Sequence, residues 1–222
     1  SFQMVAAGFY HTAAITSESR ILCWGYDHEG QCSRIPTLTP PEFFQMVAAG
    51  RCHTAAITSA GRILCWGGDH EGQCSRIPTL TPPESFQIVA AGAVHTAAIT
   101  SAGRILCWGS DQESQCWIPT LTPPESFQMV AAGYYHTAAI TSAGRVLCWG
   151  MDQESQCSRI PTLTPPAYFQ SVAAGSNHMA TITSAGDSGG QRSRVPMLLA
   201  HRGLEGSRHS HANTASPLRP TS

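Results

Sequence analysis

Short apolar runs alternate with turn-forming residues along most of the chain. One such group comprises residues 44–49, 53–58 and 62–67, which are separated by Gly50 and by a turn that contains Gly61. Runs of this length, bounded by glycine-containing turns, are typical of antiparallel strands. An apolar repeat of 3.6 residues, which a helical repeat protein would need, is absent. The pattern therefore predicts an all-β fold.

The same group recurs along the chain with a fixed period. His-Thr dipeptides begin at His11, His53, His95 and His136, in steps of 42, 42 and 41 residues, and His178 follows 42 residues later with Met in place of Thr. The tryptophans keep these steps at positions 24, 66, 108 and 149. The short step has a visible cause, since the third unit has lost one residue after Cys116. We infer four intact units and a defective fifth.

Three or four short strands in every 42 residues or so are typical of a β-propeller blade. The Val-Ala-Ala-Gly segment of each unit suits an inner strand beside a central channel, and one Trp per unit would fill the space between sheets. The proline-rich run at residues 77–83 is predicted to be extended and to serve as a short outer strand, because proline is tolerated at sheet edges.

A serine-protease-like motif lies at Gly186–Gly190, with Ser188 at the position of a nucleophile. The repeat register explains this motif without catalysis. If seven residues that correspond to 145–151 are removed, residues 187–196 align directly with residues 152–161. We therefore interpret the motif as a deletion junction that removes the third strand and the Trp of the fifth unit, and we predict that the protein is not an enzyme.

Composition limits the function further. The formal net charge of −1 gives no electrostatic reason to expect nucleic acid or an anionic membrane as the main partner. No apolar run reaches the roughly 18 residues that a membrane span needs. All 13 basic residues are Arg, which excludes P-loop, protein-kinase and Schiff-base chemistry as normally built. We predict no cofactor and no small-molecule substrate.

Eight of the nine cysteines form pairs nine residues apart, such as Cys23 and Cys32, and Cys52 is the ninth. We expect the paired cysteines to be small packing residues. A disulfide within each blade is the alternative. A zinc site is disfavoured, because no Cys-x-x-Cys occurs.

His11 and its copies are predicted to satisfy a backbone group inside each blade. Asp27 and Glu29, with their copies, are interpreted as a solvated turn, since a calcium loop needs further ligands.

Recurring Ala-Gly, His-Thr, Trp-Gly and Gly-Gln elements, in constant order, resemble the repeat of the regulator of chromosome condensation family. The resemblance covers residues 1 to about 186. It implies seven-bladed propellers that serve as nucleotide exchange factors, as parts of large ubiquitin ligases, as receptor ectodomains or as enzyme inhibitors. The chain departs from the family where Cys32 and its copies replace the usual Leu-Gly after Gly-Gln, and where Ser114 and Ser155 replace glycine.

The differences between the units fall in two turns, before the His and after Trp-Gly. A scaffold with constant strands and variable loops is how repeat proteins form a binding face, although neutral drift at exposed positions would look the same. The candidate binding-face residues are Phe9, Tyr10, Tyr26, Arg51, Cys52, Tyr134, Tyr135 and Met151.

The sequence thus predicts propeller repeats over residues 1–186, a remnant of the fifth repeat at 187–200 and a disordered tail at 201–222. The chain begins inside a repeat and holds fewer units than the family implies, so we expect an incomplete or open propeller. The predicted function is a non-enzymatic scaffold that binds another protein. The alternatives are an exchange factor for a small GTPase and a propeller fragment of a large ubiquitin ligase.

Overall fold

The computed structural model describes residues 1–184, which form five separate antiparallel sheets. Four of the sheets have three strands, in the order of the sequence. The strands are β1 (Phe2–Ala7), β2 (His11–Thr16) and β3 (Ile21–Gly25); β4 (Phe44–Ala49), β5 (His53–Thr58) and β6 (Ile63–Gly67); β7 (Phe86–Ala91), β8 (His95–Thr100) and β9 (Ile105–Gly109); β10 (Phe127–Ala132), β11 (His136–Thr141) and β12 (Val146–Gly150). The fifth sheet contains β13 (Phe169–Ala174) and β14 (Met179–Thr183).

The all-β prediction and the three-strand unit are confirmed, but the predicted outer strand is wrong. Residues 77–83 form no strand in the structure. Their proline nitrogens have no hydrogen to donate to a ladder, and the apolar side chains of Ile77 and Leu80 pack against the core between two sheets instead. Within residues 1–184 no helix is long and apolar enough to cross a membrane.

The core lies between successive sheets and not inside any single one. Phe44 and Trp66 of the second sheet pack against Ala13 and Ile15 of the first, and the same arrangement recurs at the next two interfaces. The alanines of the middle strands, such as Ala13 and Ala55, are fully buried at 0% exposure. Small residues in the middle strand let the neighbouring sheet and its Trp approach closely.

Backbone hydrogen bonds link the loops that follow the inner strands. In each of the first four units, the residue after the glycine that ends the first strand donates its backbone N–H. The acceptor is a backbone carbonyl in the corresponding loop of the next unit. These contacts are Phe9 to Gly50 (3.2 Å), Arg51 to Gly92 (3.1 Å), Ala93 to Gly133 (3.2 Å) and Tyr134 to Ser176 (3.2 Å). The variable turns are thereby held side by side.

The sheets form an open arc. On the first sheet Phe2 is 57% and Trp24 is 49% exposed, whereas the equivalent Phe44 and Trp66 are 7% and 5% exposed. The difference arises because no sheet within residues 1–184 covers that face. The expectation of an incomplete propeller is confirmed.

The fifth sheet has two strands within the described residues. The motif at Gly186–Gly190, the remnant at 187–200 and the tail at 201–222 lie outside those residues. Their interpretation remains a prediction from the sequence.

One backbone position in each unit provides a test of the repeat geometry. Gly30 and Gly72 have a left-handed φ of 79°, and Ser114 and Ser155 take nearly the same conformation at 60° and 61°. A residue with a Cβ is strained there. We expect Ser114→Gly to raise the free energy of unfolding by about 0.5–1 kcal/mol and Gly72→Ser to lower it by a similar amount, as measured by thermal denaturation. Midpoints that shift in the same direction for both variants would exclude this explanation.

Candidate functional site

Aromatic rings and one guanidinium from three different units meet at the end of the sheets where the variable turns lie. The guanidinium carbon of Arg51 lies 5.8 Å from the ring centre of Tyr10 and 5.5 Å from that of Tyr134. Both distances suit a cation–π interaction. Tyr134 also contacts Phe9 edge-on at 5.4 Å and Tyr135 at 4.5 Å between ring centres. We call these five residues the aromatic–arginine cluster.

A cavity of about 460 Å³ opens beside this cluster. Its lining comprises Phe9, Tyr10, Tyr134, Tyr135, Met151, Ser176 and Asn177. First-unit and fourth-unit residues face one another there, because the arc of sheets curves around a common axis. The cavity is therefore walled mainly by aromatic side chains, with the polar Ser176 and Asn177 from the fifth unit at one side.

The structure brings six of the eight predicted residues together, counting Arg51 above the rings and Met151 in the cavity wall. Tyr26 lies next to them, with its ring 5.8 Å from Tyr10 and stacked on His28 at 6.0 Å. Cys52 is half-buried and does not line the cavity. Ser176 and Asn177 also line the cavity, from the turn before His178, and they are not among the residues predicted from the sequence.

The charge of the cluster comes from Arg51. Partial burial and the neighbouring Tyr134 raise the pKa of the Tyr135 phenol, so this hydroxyl stays neutral and available as a hydrogen-bond donor. The Arg51 guanidinium beside these aromatic rings presents both a hydrogen-bonding and an apolar surface. Such a surface suits protein recognition, for which Tyr and Arg are the residues most often found at energetic hot spots.

The repeated histidines have a structural role that differs from the predicted one. Each Nε2 contacts the Oγ1 of a Thr in the following unit: His11 with Thr54 at 2.9 Å, His53 with Thr96 at 3.0 Å and His95 with Thr137 at 2.9 Å. Because each Thr hydroxyl donates to a Gln carbonyl, it accepts from the histidine, which fixes the Nε2–H tautomer. The prediction of a backbone partner inside each blade is wrong, since the histidines connect neighbouring blades.

Three of the cysteine pairs are disulfides. Cys65–Cys74, Cys107–Cys116 and Cys148–Cys157 have Cα separations of 4.9, 5.2 and 5.1 Å, which the loop after the third strand makes possible by folding back. The expectation that these residues are reduced packing groups is therefore wrong, and the disulfide alternative holds. Cys23, Cys32 and Cys52 are free thiols. Burial raises the pKa of both Cys23 and Cys52 and keeps these thiols protonated.

The acidic turn is held by its own backbone. Asp27 Oδ1 accepts hydrogen bonds from the backbone N–H of Cys32 at 2.7 Å and of Ser33 at 3.0 Å. Asp69 and Asp152 accept the same two bonds in their units, and Asp111 accepts the one from Cys116. The Cys32 bond is the main reason why the pKa of Asp27 is lowered. Among residues 1–184, no group of three or more His, Cys, Asp or Glu side chains is placed to hold a metal ion.

The fold and its loops define an open β-propeller built from tandem repeats. Four segments, residues 5–31, 47–73, 86–115 and 130–156, match the model of the regulator of chromosome condensation (RCC1) repeat. The chain belongs to this family. No curated protein sequence matches the chain.

Solved structures agree on the fold. Prp20p from Saccharomyces cerevisiae is 20% identical with a TM-score of 0.67, and the match covers 81% of this chain and 54% of that one. Human WBSCR16 is 17% identical with a TM-score of 0.68, over 83% of this chain and 58% of the other. The ectodomain of the receptor kinase ACR4 from Arabidopsis thaliana is 26% identical with a TM-score of 0.60, over 82% and 61%. The chain thus spans little more than half the length of these relatives.

Proposed function

We propose that this protein is a non-enzymatic binding module, and that the aromatic–arginine cluster is the surface with which it binds another protein. The observation that carries the proposal is the position of Arg51 between Tyr10 and Tyr134, which belong to the first and fourth units. Residues that differ between otherwise near-identical units are gathered there at one surface.

The chemistry of the cluster supports a protein partner. Tyr10 is 51% exposed although it takes part in the cluster, so a large part of its ring is available to a ligand. Broad aromatic surfaces lose little conformational entropy on binding, and Arg adds directional hydrogen bonds. A partner with an apolar side chain for the cavity and a carboxylate or carbonyl for Arg51 would fit this surface best.

The proposal is tested by comparing two variants in pull-down experiments from cell extract. We expect the double variant Arg51→Ala, Tyr134→Ala to lose the proteins that wild-type protein recovers, with affinities at least about 30-fold weaker, because hot-spot residues contribute about 2 kcal/mol or more. The control is Arg104→Ala, which removes an ion pair with Glu84 at the opposite end of a sheet. Circular dichroism checks that both variants are folded. Proteins lost equally from both variants, or from neither, would overturn the proposal.

Nucleotide exchange on a small GTPase is the second candidate. Prp20p has been studied for binding to Gsp1p and histones, and it shares the fold. Exchange in this family depends on a protruding inserted loop, and none interrupts the regular period of residues 1–184. Release of fluorescent GDP from purified Gsp1p separates the candidates, since a binding module leaves the release rate unchanged.

The third alternative is a propeller fragment of a large ubiquitin ligase. Its catalytic domain would lie outside these residues, so the sequence of the full-length transcript tests it.

A further inference from the structure

The two cysteines of the first unit, Cys23 and Cys32, are reduced, whereas the equivalent pairs in the next three units are disulfides. Yet the strands hold the first pair as they hold the others. Cys23 lies opposite Ala13 on β2, and Cys65 lies opposite Ala55 on β5. After burial, a hydrogen bond with the Cys32 side chain is the largest cause that raises the pKa of the Cys23 thiol, so the two thiols already lie beside each other.

The loop after β3 also has the hydrogen bonds of the loops that carry a disulfide. Cys23 Sγ lies 3.5 Å from the Gln31 carbonyl oxygen, and Cys32 Sγ lies 3.8 Å from that of Tyr26. The corresponding distances in the second unit are 3.6 Å and 3.7 Å. The bond from the Cys32 N–H to Asp27 is 2.7 Å long, as is its copy. A disulfide therefore fits between Cys23 and Cys32 without rearrangement of the loop, because its formation depends on the separation of the two backbones.

The first pair differs from the others in how firmly its strand is held. In the next three units the Trp beside the first cysteine is 5–6% exposed, and its indole donates to a Gln carbonyl of the preceding unit, at Trp66, Trp108 and Trp149. Trp24, the neighbour of Cys23, is 49% exposed, and within residues 1–184 its indole donates no such bond. Thiol–disulfide exchange depends on access to the sulfur atom, and a strand that packs less closely opens more readily. We therefore expect the first pair to exchange before the three disulfides do.

The chain between these two cysteines includes a residue next to the aromatic–arginine cluster. This residue is Tyr26, whose backbone N–H donates to the Tyr10 carbonyl at 2.8 Å and whose ring lies 5.8 Å from that of Tyr10. The Tyr10 ring in turn lies 5.8 Å from the guanidinium carbon of Arg51. A bond between the two cysteines therefore acts on a loop that is in direct contact with the cluster.

We propose that Cys23 and Cys32 form a reversible disulfide that regulates the aromatic–arginine cluster through Tyr26, an inference that rests on the proposed function of the cluster. Oxidation joins the two Sγ atoms, releases both thiol protons and passes two electrons to a small-molecule disulfide such as oxidised glutathione, which is reduced to two thiols. The new bond ties the loop to β3 and lowers its conformational freedom. Oxidation thus orders Tyr26 against Tyr10 and pre-organises the cluster for its partner, and reduction releases it.

Counting thiols tests the disulfide directly. The full chain is equilibrated with mixtures of reduced and oxidised glutathione, quenched with acid and alkylated after unfolding, and its mass is measured. In the more reducing mixtures we expect alkylation of Cys23, Cys32 and Cys52, the three free thiols of the structure. In the more oxidising mixtures only Cys52 should react, and peptide mass spectrometry should find Cys23 joined to Cys32. The other six cysteines should stay protected throughout this change.

Hydrogen exchange of the Tyr26 amide measures the effect on the cluster without a partner protein. This amide is the donor to the Tyr10 carbonyl. We expect it to exchange at least about fivefold more slowly in the oxidised chain than in the reduced chain, because the closed loop suppresses the local openings that expose the amide. In Cys32→Ser, which cannot form the bond, the exchange rate should not depend on the glutathione mixture. In the matched control Cys52→Ser the difference between the two states should remain.

Three outcomes would overturn the inference. The first is a Cys23 thiol that stays reactive in every mixture, and the second is an exchange rate at Tyr26 that is equal in the two states. The third concerns the proteins that the double variant Arg51→Ala, Tyr134→Ala fails to recover: the oxidised chain should bind them at least about threefold more tightly than the reduced chain, and equal affinities would contradict regulation. If the double variant loses no proteins, the proposed function fails, whereas the thiol count and the Tyr26 exchange still measure the disulfide and its effect on the loop.

Discussion

Replacing Trp108 with alanine is expected to lower the free energy of unfolding by about 3–5 kcal/mol. The side chain is 5% exposed and packs between the second and third sheets, in contact with the cluster that includes Phe86 and Ala98. Its removal leaves a cavity, and the Gln73 carbonyl retains only the hydroxyl bond from Thr96. Urea denaturation followed by circular dichroism measures the effect.

The matched control is Trp24→Ala in the first unit. Trp24 has the same place in its sheet as Trp108, but it is 49% exposed, because no described sheet covers it. We expect a change of no more than about 1 kcal/mol, in line with the smaller apolar area that it buries. Equal destabilisation by the two substitutions would show that the core does not lie between the sheets.

Acidification is expected to destabilise the fold by about 4 kcal/mol between pH 7 and pH 5. Burial first, and the neighbouring histidines second, lower the pKa of His53 to about 4 and that of His95 to about 3. Below pH 6.5 the unfolded chain therefore takes up protons that the folded chain excludes. The stability that these two histidines confer is complete above pH 6.5 and is lost as the pH falls towards 4.

The variant His95→Gln isolates this effect. A neutral amide can still donate to Thr137 but takes up no proton, so the dependence of the unfolding free energy on pH should fall by about half. Denaturant titrations between pH 5 and pH 7 measure the dependence. Carboxylates with lowered pKa values, such as Glu84 and Glu125, lose their contribution only below their usual value of 4.5, outside that window. An unchanged slope in the variant would contradict the histidine assignment.

The sequence was sufficient to predict the strands and their order within a unit. Residues 44–49 and 53–58 coincide with β4 and β5, because glycine-containing turns and short apolar runs act locally. The role of the repeated Trp also followed from the sequence, since only one large side chain per unit is available to fill the space between sheets of small residues.

The histidines and cysteines were interpreted wrongly for a shared physical reason. A pattern within one unit shows nothing of the neighbouring unit, yet His53 has its partner on Thr96, 43 residues away. A spacing of nine residues likewise allows either a reduced or an oxidised pair, and only the fold of the loop brings Cys107 within 5.2 Å of Cys116.

The candidate binding residues were selected because they differ between units, and their convergence could not be deduced. Phe9 and Tyr134 are more than a hundred residues apart, and their rings lie 5.4 Å apart because the arc of sheets curves around one axis. The sequence by itself determined the period and the strands, because both depend on local preferences. Only the tertiary structure decided which loops meet around Arg51, because that depends on how one sheet packs against the next.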